Sequence, residues 1–297
     1  MSKALIRQIV RASVNDNGMI ETGIKGVRLF RITEPVQCAP AVYEPSVVVI
    51  LSGCKEAIFD GKKQEFGSEK YLCCTMPMPL ESGTPDASPD NPFMGIYISL
   101  DASVMAELAI AMERAPGAPR NQTGGVHPQG LVLSRWDETF SQSLLNLLQL
   151  RDNPADISIM ADSRLRELYY AILKGDAGAA TRRAFGVGNE ISRSIEYLSS
   201  NLEQSVTIDD LAGQVGMSRA VFHRKFKQAT SMSPIQFVKS MRLNRAATMI
   251  AGGMSVNLAA MDVGYVSSSQ FSREFKRVYG LSPKQWNQYN HASQAVI

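Results

Sequence analysis

At 297 residues, with 44% apolar and 20% charged side chains, the chain has the make-up of a globular protein and the length of two domains. Its net charge of +3 divides unevenly: residues 1–188 carry 19 basic and 21 acidic side chains, residues 189–297 carry 12 and 7, so the C-terminal part is the one suited to phosphate. No apolar run approaches the roughly 18–20 residues that cross a bilayer, and Arg7 and Arg11 interrupt the apolar run from Ala4 to Val10, which excludes a secretory signal and makes a cytoplasmic location the expectation.

Leu5, Ile6, Ile9 and Val10 suit one face of a short N-terminal helix. From about Gly26 to Leu100 the pattern becomes β. Val27–Thr33 alternates, and Val47–Leu51 is a continuous apolar run bounded by Pro45 and Gly53, as in a buried strand. Asp60-Gly61 is a two-residue hairpin signal between Ala57–Phe59 and Lys62–Phe66. Tyr71–Met76 and Phe93–Leu100 complete six to eight short strands, the signature of a small barrel or jelly roll. Pro77 and Pro79 cannot donate ladder hydrogen bonds, so the strand must leave its sheet there. A rim lined by Cys74, Met76 and Met78 would form a soft apolar mouth for a ligand, with Cys73 on the opposite face. The four cysteines (Cys38, Cys54, Cys73, Cys74) form no CxxC pair and lie in this region. They are expected as small apolar fillers, with a thiol sensor for electrophiles or oxidants as the functional alternative, although only Lys70 stands nearby to favour a thiolate.

At Asp101 the period changes. Asp101 is a plausible N-cap for a helix through Met112, residues 115–130 are rich in Pro and Gly, and two helices follow over Trp136–Leu150 and Ile157–Lys174. The stripe Leu165, Leu168, Tyr169, Ile172 is either intramolecular core or a dimer seam. Gly175–Gly188 has the composition of a linker with a possible helical middle.

Beyond the linker the pattern is helical and repeats. Ser218–Lys227 (SRAVFHRKFK) aligns with Ser267–Lys276 (SSSQFSREFK) at an offset of 49, and the match runs on to Ser233-Pro234 and Ser282-Pro283, then to Phe237 and Trp286. Upstream, Ala212 and Gly216 answer Ala260 and Gly264 at an offset of 48, so the second turn carries one extra residue. Each copy reads as helix, glycine turn, helix. Phe222 and Phe226, and again Phe271 and Phe275, stand at i and i+4 and must face inward. The outward faces are then Arg219, Ala220, His223, Arg224 and Lys227 in the first copy, and Ser268, Ser269, Ser272, Arg273 and Lys276 in the second. Arg can clasp guanine in the major groove, while Lys and Ser hold phosphates.

The stretches TIDDLAGQVGMSRAVFHRKFKQATSMSPIQFV and RLNRAATMIAGGMSVNLAAMDVGYVSSSQFSREFKRVYGLSPKQW resemble the AraC/XylS family of transcription regulators over about residues 190–290. The resemblance implies two helix-turn-helix subdomains joined by the helix around Met241–Ile250, entering successive major grooves on one face of promoter DNA. Ala220 departs from the larger contacting residue often found at its position, and Ala259 from a larger aliphatic one. Tyr43-Glu44-Pro45 and Tyr71–Glu81 are similar to the cupin-like sensor barrel found in one branch of that family. This implies a small-molecule effector site, with Tyr43 among its residues, or a dimerisation domain.

The expectation is therefore an α+β chain: a cupin-like sensor and dimerisation domain over residues 1–175 (barrel about 20–100, helices 101–175), a linker over 176–188, and a double helix-turn-helix over 189–291. Partners expected are promoter DNA, a small effector, a second copy and RNA polymerase, the family role being more often activation. Enzyme readings fare poorly, because His127, His223 and His291 all lie outside the barrel and Cys73 and Cys74 point to opposite faces, so no metal or other cofactor is expected. A charge of +5 is low for a non-specific architectural DNA binder.

Overall fold

The structure, a computed structural model, describes residues 2–14, 16–59, 62–68, 70–117, 129–186, 189–204 and 206–290. Its strands are β1 (Gly18–Glu21), β2 (Val27–Ile32), β3 (Val36–Tyr43), β4 (Ser46–Ser52), β5 (Cys54–Phe59), β6 (Lys62–Gly67), β7 (Lys70–Cys74), β8 (Met78–Thr84), β9 (Phe93–Ser99) and β10 (Leu131–Arg135). They form a six-stranded sheet, ordered β1-β2-β9-β4-β7-β10, and a four-stranded sheet, ordered β3-β8-β5-β6, with every pairing antiparallel. The apolar run of β4 sits third from one edge, with six of its seven residues buried, as a strand covered on both faces requires. The hairpin between β5 and β6 pairs Phe59 with Lys62, and its turn, Asp60-Gly61, lies outside the described residues.

The proline corner differs from expectation in detail. β7 ends at Cys74, two residues early, and the chain crosses at Thr75–Pro77 into the other sheet, where Pro79 sits inside β8 opposite Val42. β5 pairs with β8 only from Glu81 onward, so no ladder donor is required of Pro79 on that side. The corner is also covered. Thr75 donates its N–H to Gly130 O (2.9 Å) and its hydroxyl to Gln129 O (2.7 Å), while Gly130 N–H donates to Ala229 O (2.9 Å) in the C-terminal half.

The helices are α1 (Ser2–Ser13), α2 (Ala102–Arg114), α3 (Glu138–Leu148), α4 (Pro154–Lys174), α5 (Gly178–Phe185), α6 (Glu190–Ser200), α7 (Ile208–Gln214), α8 (Arg219–Thr230), α9 (Pro234–Ala251), α10 (Val256–Asp262), α11 (Ser268–Tyr279) and α12 (Pro283–Asn290). Asp101 caps α2 as expected, accepting from the backbone N–H groups of Ser103 (2.9 Å) and Val104 (3.2 Å). α4 begins three residues early because Asn153 caps it and Pro154 occupies its first turn. Leu168, Tyr169 and Ile172 are buried, which makes the C-terminal part of its stripe intramolecular core, while Ile159 near its start is 72% exposed. Within the expected linker, Gly178–Phe185 is the packed helix α5, whose Thr181 hydroxyl lies 3.9 Å from Cys73 Sγ.

One hydrophobic core runs from the sheets through the following helices into α6–α8 and reaches Met241 on α9. A second core begins two residues later, at Leu243, and holds Ala259, Ala260, Phe271 and Phe275.

Candidate nucleic-acid interface and effector cavity

In both C-terminal motifs the phenylalanine pairs decide which face is free. Phe222 and Phe226 are 0% exposed with ring centroids 5.5 Å apart, and Phe237 meets Phe226 edge-on at 5.2 Å. Phe271 and Phe275 repeat the arrangement at 5.4 Å, with Trp286 edge-on at 6.0 Å in the place of Phe237. The turn glycines Gly216 and Gly264 adopt φ of 64° and 84°, the left-handed region that an L side chain avoids. Ser218 and Ser267 cap α8 and α11.

The consequence is the pair of outward faces that the periodicity predicts. Arg219, Ala220, His223, Arg224 and Lys227 are all exposed on α8, with Lys225 beside them. On α11, Ser268, Ser269, Arg273 and Lys276 are exposed and Ser272 is half-buried. Arg219 is already engaged: its Nη1 lies 2.8 Å from Asp209 Oδ2 on α7, an exposed pair that phosphate could replace at small cost. Glu274, the one acid on α11, is turned to structural use, accepting from Lys239 Nζ (3.0 Å) and Tyr265 OH (2.9 Å).

Sequence reasoning missed the residues that join these motifs to each other and to the sheets. Arg242 donates to Leu202 O (2.9 Å), Gln204 O (3.0 Å) and Gly264 O (3.4 Å), so one guanidinium ties the segment before α7 to the turn of the second motif. Asn244, 5% exposed, donates Nδ2–H to Ala41 O on β3 (2.8 Å) and accepts at Oδ1 from Tyr279 OH (2.5 Å). Arg242 and Asn244 stand among several polar residues of α9, so neither was marked out by the sequence.

A cavity of about 180 Å³ opens between the sheets. Its wall includes Phe30, Ile32, Val48 and Phe93 on one side and Ala41, Tyr43 and Glu44 on the other, with Arg28, Lys55 and Tyr97. Arg28 lies over the Tyr97 ring (4.7 Å), and Lys55 over Tyr43 (5.1 Å) and Phe93 (5.8 Å), so both cations rest on aromatic faces. The Tyr43 hydroxyl is 3.0 Å from Ser82 Oγ. Burial pushes the Glu44 carboxyl up from its ordinary range, an effect partly offset by Arg245 on α9. Strand alternation carried a usable signal here, since Arg28 shares a face with Phe30 and Ile32 and points the same way as the apolar lining.

Of the expected ligand residues, Tyr43 lines this cavity. Cys74, Met76 and Met78 do not. They are 1%, 0% and 0% exposed, and Met78 packs so tightly on Gly130 that a β-carbon there would strike its sulfur. The soft mouth is thus filled by the covering segment 129–130 and the C-terminal half. Cys73 and Cys74 do face opposite ways, one toward α5 and the other toward the carbonyls of Tyr43 and Met76. Burial pushes the Cys73 thiol up to about 12 and Cys74 well above its ordinary value, a direction that disfavours the thiolate and counts against reactive-thiol sensing at this pair.

Residues 23–180 match the family model of the AraC-type transcriptional regulator N-terminus, and residues 211–289 match that of a helix-turn-helix domain. Raffinose operon transcriptional regulatory protein RafR of Pediococcus pentosaceus is 29% identical over 126 residues, 42% of this chain and 46% of RafR. The virulence regulon transcriptional activator VirF of Yersinia enterocolitica is 25% identical over 161 residues, 53% of this chain and 59% of VirF. The chain thus spans about half the length of the curated relatives it matches. Among solved structures, unsaturated fatty acid-bound ToxT of Vibrio cholerae superposes with a TM-score of 0.57 at 11% identity, covering 92% of this chain and 96% of that one, a likeness of fold.

Proposed function

The chain belongs to the AraC-type transcriptional regulators, and from that membership we propose that it reads promoter DNA with α8 and α11 and answers a small acid held between its sheets. The observation carrying the DNA reading is the repeated pair of helices anchored by buried phenylalanines, with Arg, His and Lys exposed on α8 and Ser, Arg and Lys exposed on α11. Two such helices in successive major grooves suit a site of about two helical turns. The acid reading rests on Arg28 and Lys55 among an otherwise largely apolar lining, which offers a carboxylate its counter-charge and a hydrocarbon body its contacts. It is the chemistry of the unsaturated fatty acid that ToxT holds. At about 180 Å³ the cavity falls below the ~300 Å³ of a drug-sized site, which favours a short-chain or single-ring acid over a long one.

In this reading residues 1–175 are the sensor, 176–188 the connection and 189–291 the DNA-binding part, and the protein is a non-enzymatic cytoplasmic regulator. Among the described residues no helix is long and apolar enough to cross a membrane. A homodimer would raise affinity by pairing sites, and the exposed start of α4 around Ile159 and Met160 is the surface we assign to it. RNA polymerase is the further partner expected of an activator.

The test is selection of duplexes by the full-length protein from a random library, followed by footprinting with and without short aliphatic and aromatic carboxylic acids. A selected sequence protected over about two turns, with affinity altered by one acid class, is expected. Equal affinity for all sequences at moderate salt would defeat the regulator reading.

A further inference from the structure

The two motifs differ by one residue. Met217 N–H donates to Ala212 O (2.9 Å) and Tyr265 N–H donates to Ala260 O (2.9 Å), so these two turn positions are equivalent. In the first motif the next residue is the cap Ser218; in the second, Val266 intervenes before the cap Ser267. The inserted residue is 105% exposed, the most exposed large apolar side chain among the described residues. The turn that carries it is held, with Gly264 at φ 84° and its carbonyl accepting from Arg242 (3.4 Å). A β-branched apolar residue is thus presented wholly to water, and packing in the folded chain gives no return for it.

We propose that Val266 reads a thymine methyl group at the entry of the second reading helix. The inference rests on the DNA-binding reading above. The N-terminal end of a reading helix is the part that approaches base edges, and the thymine C5-methyl is the apolar feature of the major-groove floor. The two faces differ accordingly. α8 carries long cations, whereas the first turn of α11 carries Ser268 and Ser269, whose short side chains allow close approach of the turn to the bases. Val266 supplies there the apolar contact that serine cannot.

The experiment uses the full-length protein and a duplex it selects from a random library, each thymine being replaced singly by uracil, which removes only the methyl group. The wild type is expected to lose about fourfold in affinity at one thymine in the half-site of the second motif, the worth of one buried carbon. Val266→Ala should show a similar loss on the thymine duplex and indifference to that replacement, with an unchanged melting temperature. Val266→Thr, which keeps one methyl, should retain part of the discrimination. Sensitivity to the same uracil persisting in Val266→Ala, or no thymine of the wild-type site responding, would overturn the proposal. Failure to select any sequence would overturn the DNA reading itself and this inference with it.

Discussion

The side-chain amide of Asn244 lies 2.8 Å from the carbonyl oxygen of Ala41. Ala41 lines the cavity, and the other end of the same amide accepts from Tyr279, the last residue of α11. One buried side chain therefore connects the cavity wall to the end of α11.

Asn244→Ala would remove the bond to the Ala41 carbonyl and the acceptor of the Tyr279 hydroxyl, at a cost of about 1–3 kcal/mol. The expected result is a lowered melting temperature together with DNA affinity that no longer responds to an acid in the cavity. A variant that melts early yet keeps its full ligand response would show that the signal travels by another route.

Arg224→Ala and Lys227→Ala should separate base reading from phosphate holding. Loss of Arg224 is expected to cost about 1–3 kcal/mol and to relax preference at one base position. Loss of Lys227 should weaken all sequences alike and reduce the salt slope by about one. Binding titrations on matched and mismatched duplexes at several salt concentrations distinguish the two.

Glu44 predicts a pH effect. Its carboxyl is raised by burial, so between the ordinary carboxylate range and the raised value the folded chain holds more protons than the unfolded one. Stability contributed at this site is therefore greater at low pH and falls as pH rises through that window. Glu44→Gln should remove this step from melting curves recorded across acidic to neutral pH. It should also bind an anionic probe more tightly at neutral pH, because a like charge has left the cavity wall. A slope equal to that of the wild type would count against it.

The cysteines should sort by burial. Cys38 and Cys54 are half-buried, Cys73 and Cys74 buried. Mild alkylation of the native protein should label the first two and reach the second two only on denaturation. Cys73→Ser and Cys74→Ser should leave a reporter's response to aldehyde or oxidant unchanged, and loss of response in either would restore the thiol sensor.

Local pattern carried much of the architecture. The apolar run of β4, the cap at Asp101 and the phenylalanines at i and i+4 each imposed a structure on their own segments, and the outward residues of α8 and α11 follow from helix geometry alone. Partnerships across the chain were not legible. β10 is five residues whose identity as a strand depends on pairing with β7, about sixty positions earlier. The burial of Cys74, Met76 and Met78 depends on residues 129–130 lying over them, and an alternating strand looks the same whether its end is open or capped. Asn244 offered only one polar side chain among several on α9, with its two partners far away in sequence.

The break between the two hydrophobic cores falls inside α9, between Met241 and Leu243. The buried apolar cluster of the first motif is continuous with that of the sheets, while that of the second is separate and meets the sheets through the polar contact of Asn244 with Ala41. For chimeras this places the seam in the middle of a helix rather than in the segment 176–188. A second motif borrowed from a relative and grafted at Arg242 would bring its own interior with it. A cut before Asn189 would instead divide the cluster to which Ile191, Ile195 and Leu198 belong and remove α5, which packs on α6. If the proposed DNA reading holds, the unit that recombines is the second motif alone, and base preference would change one half-site at a time.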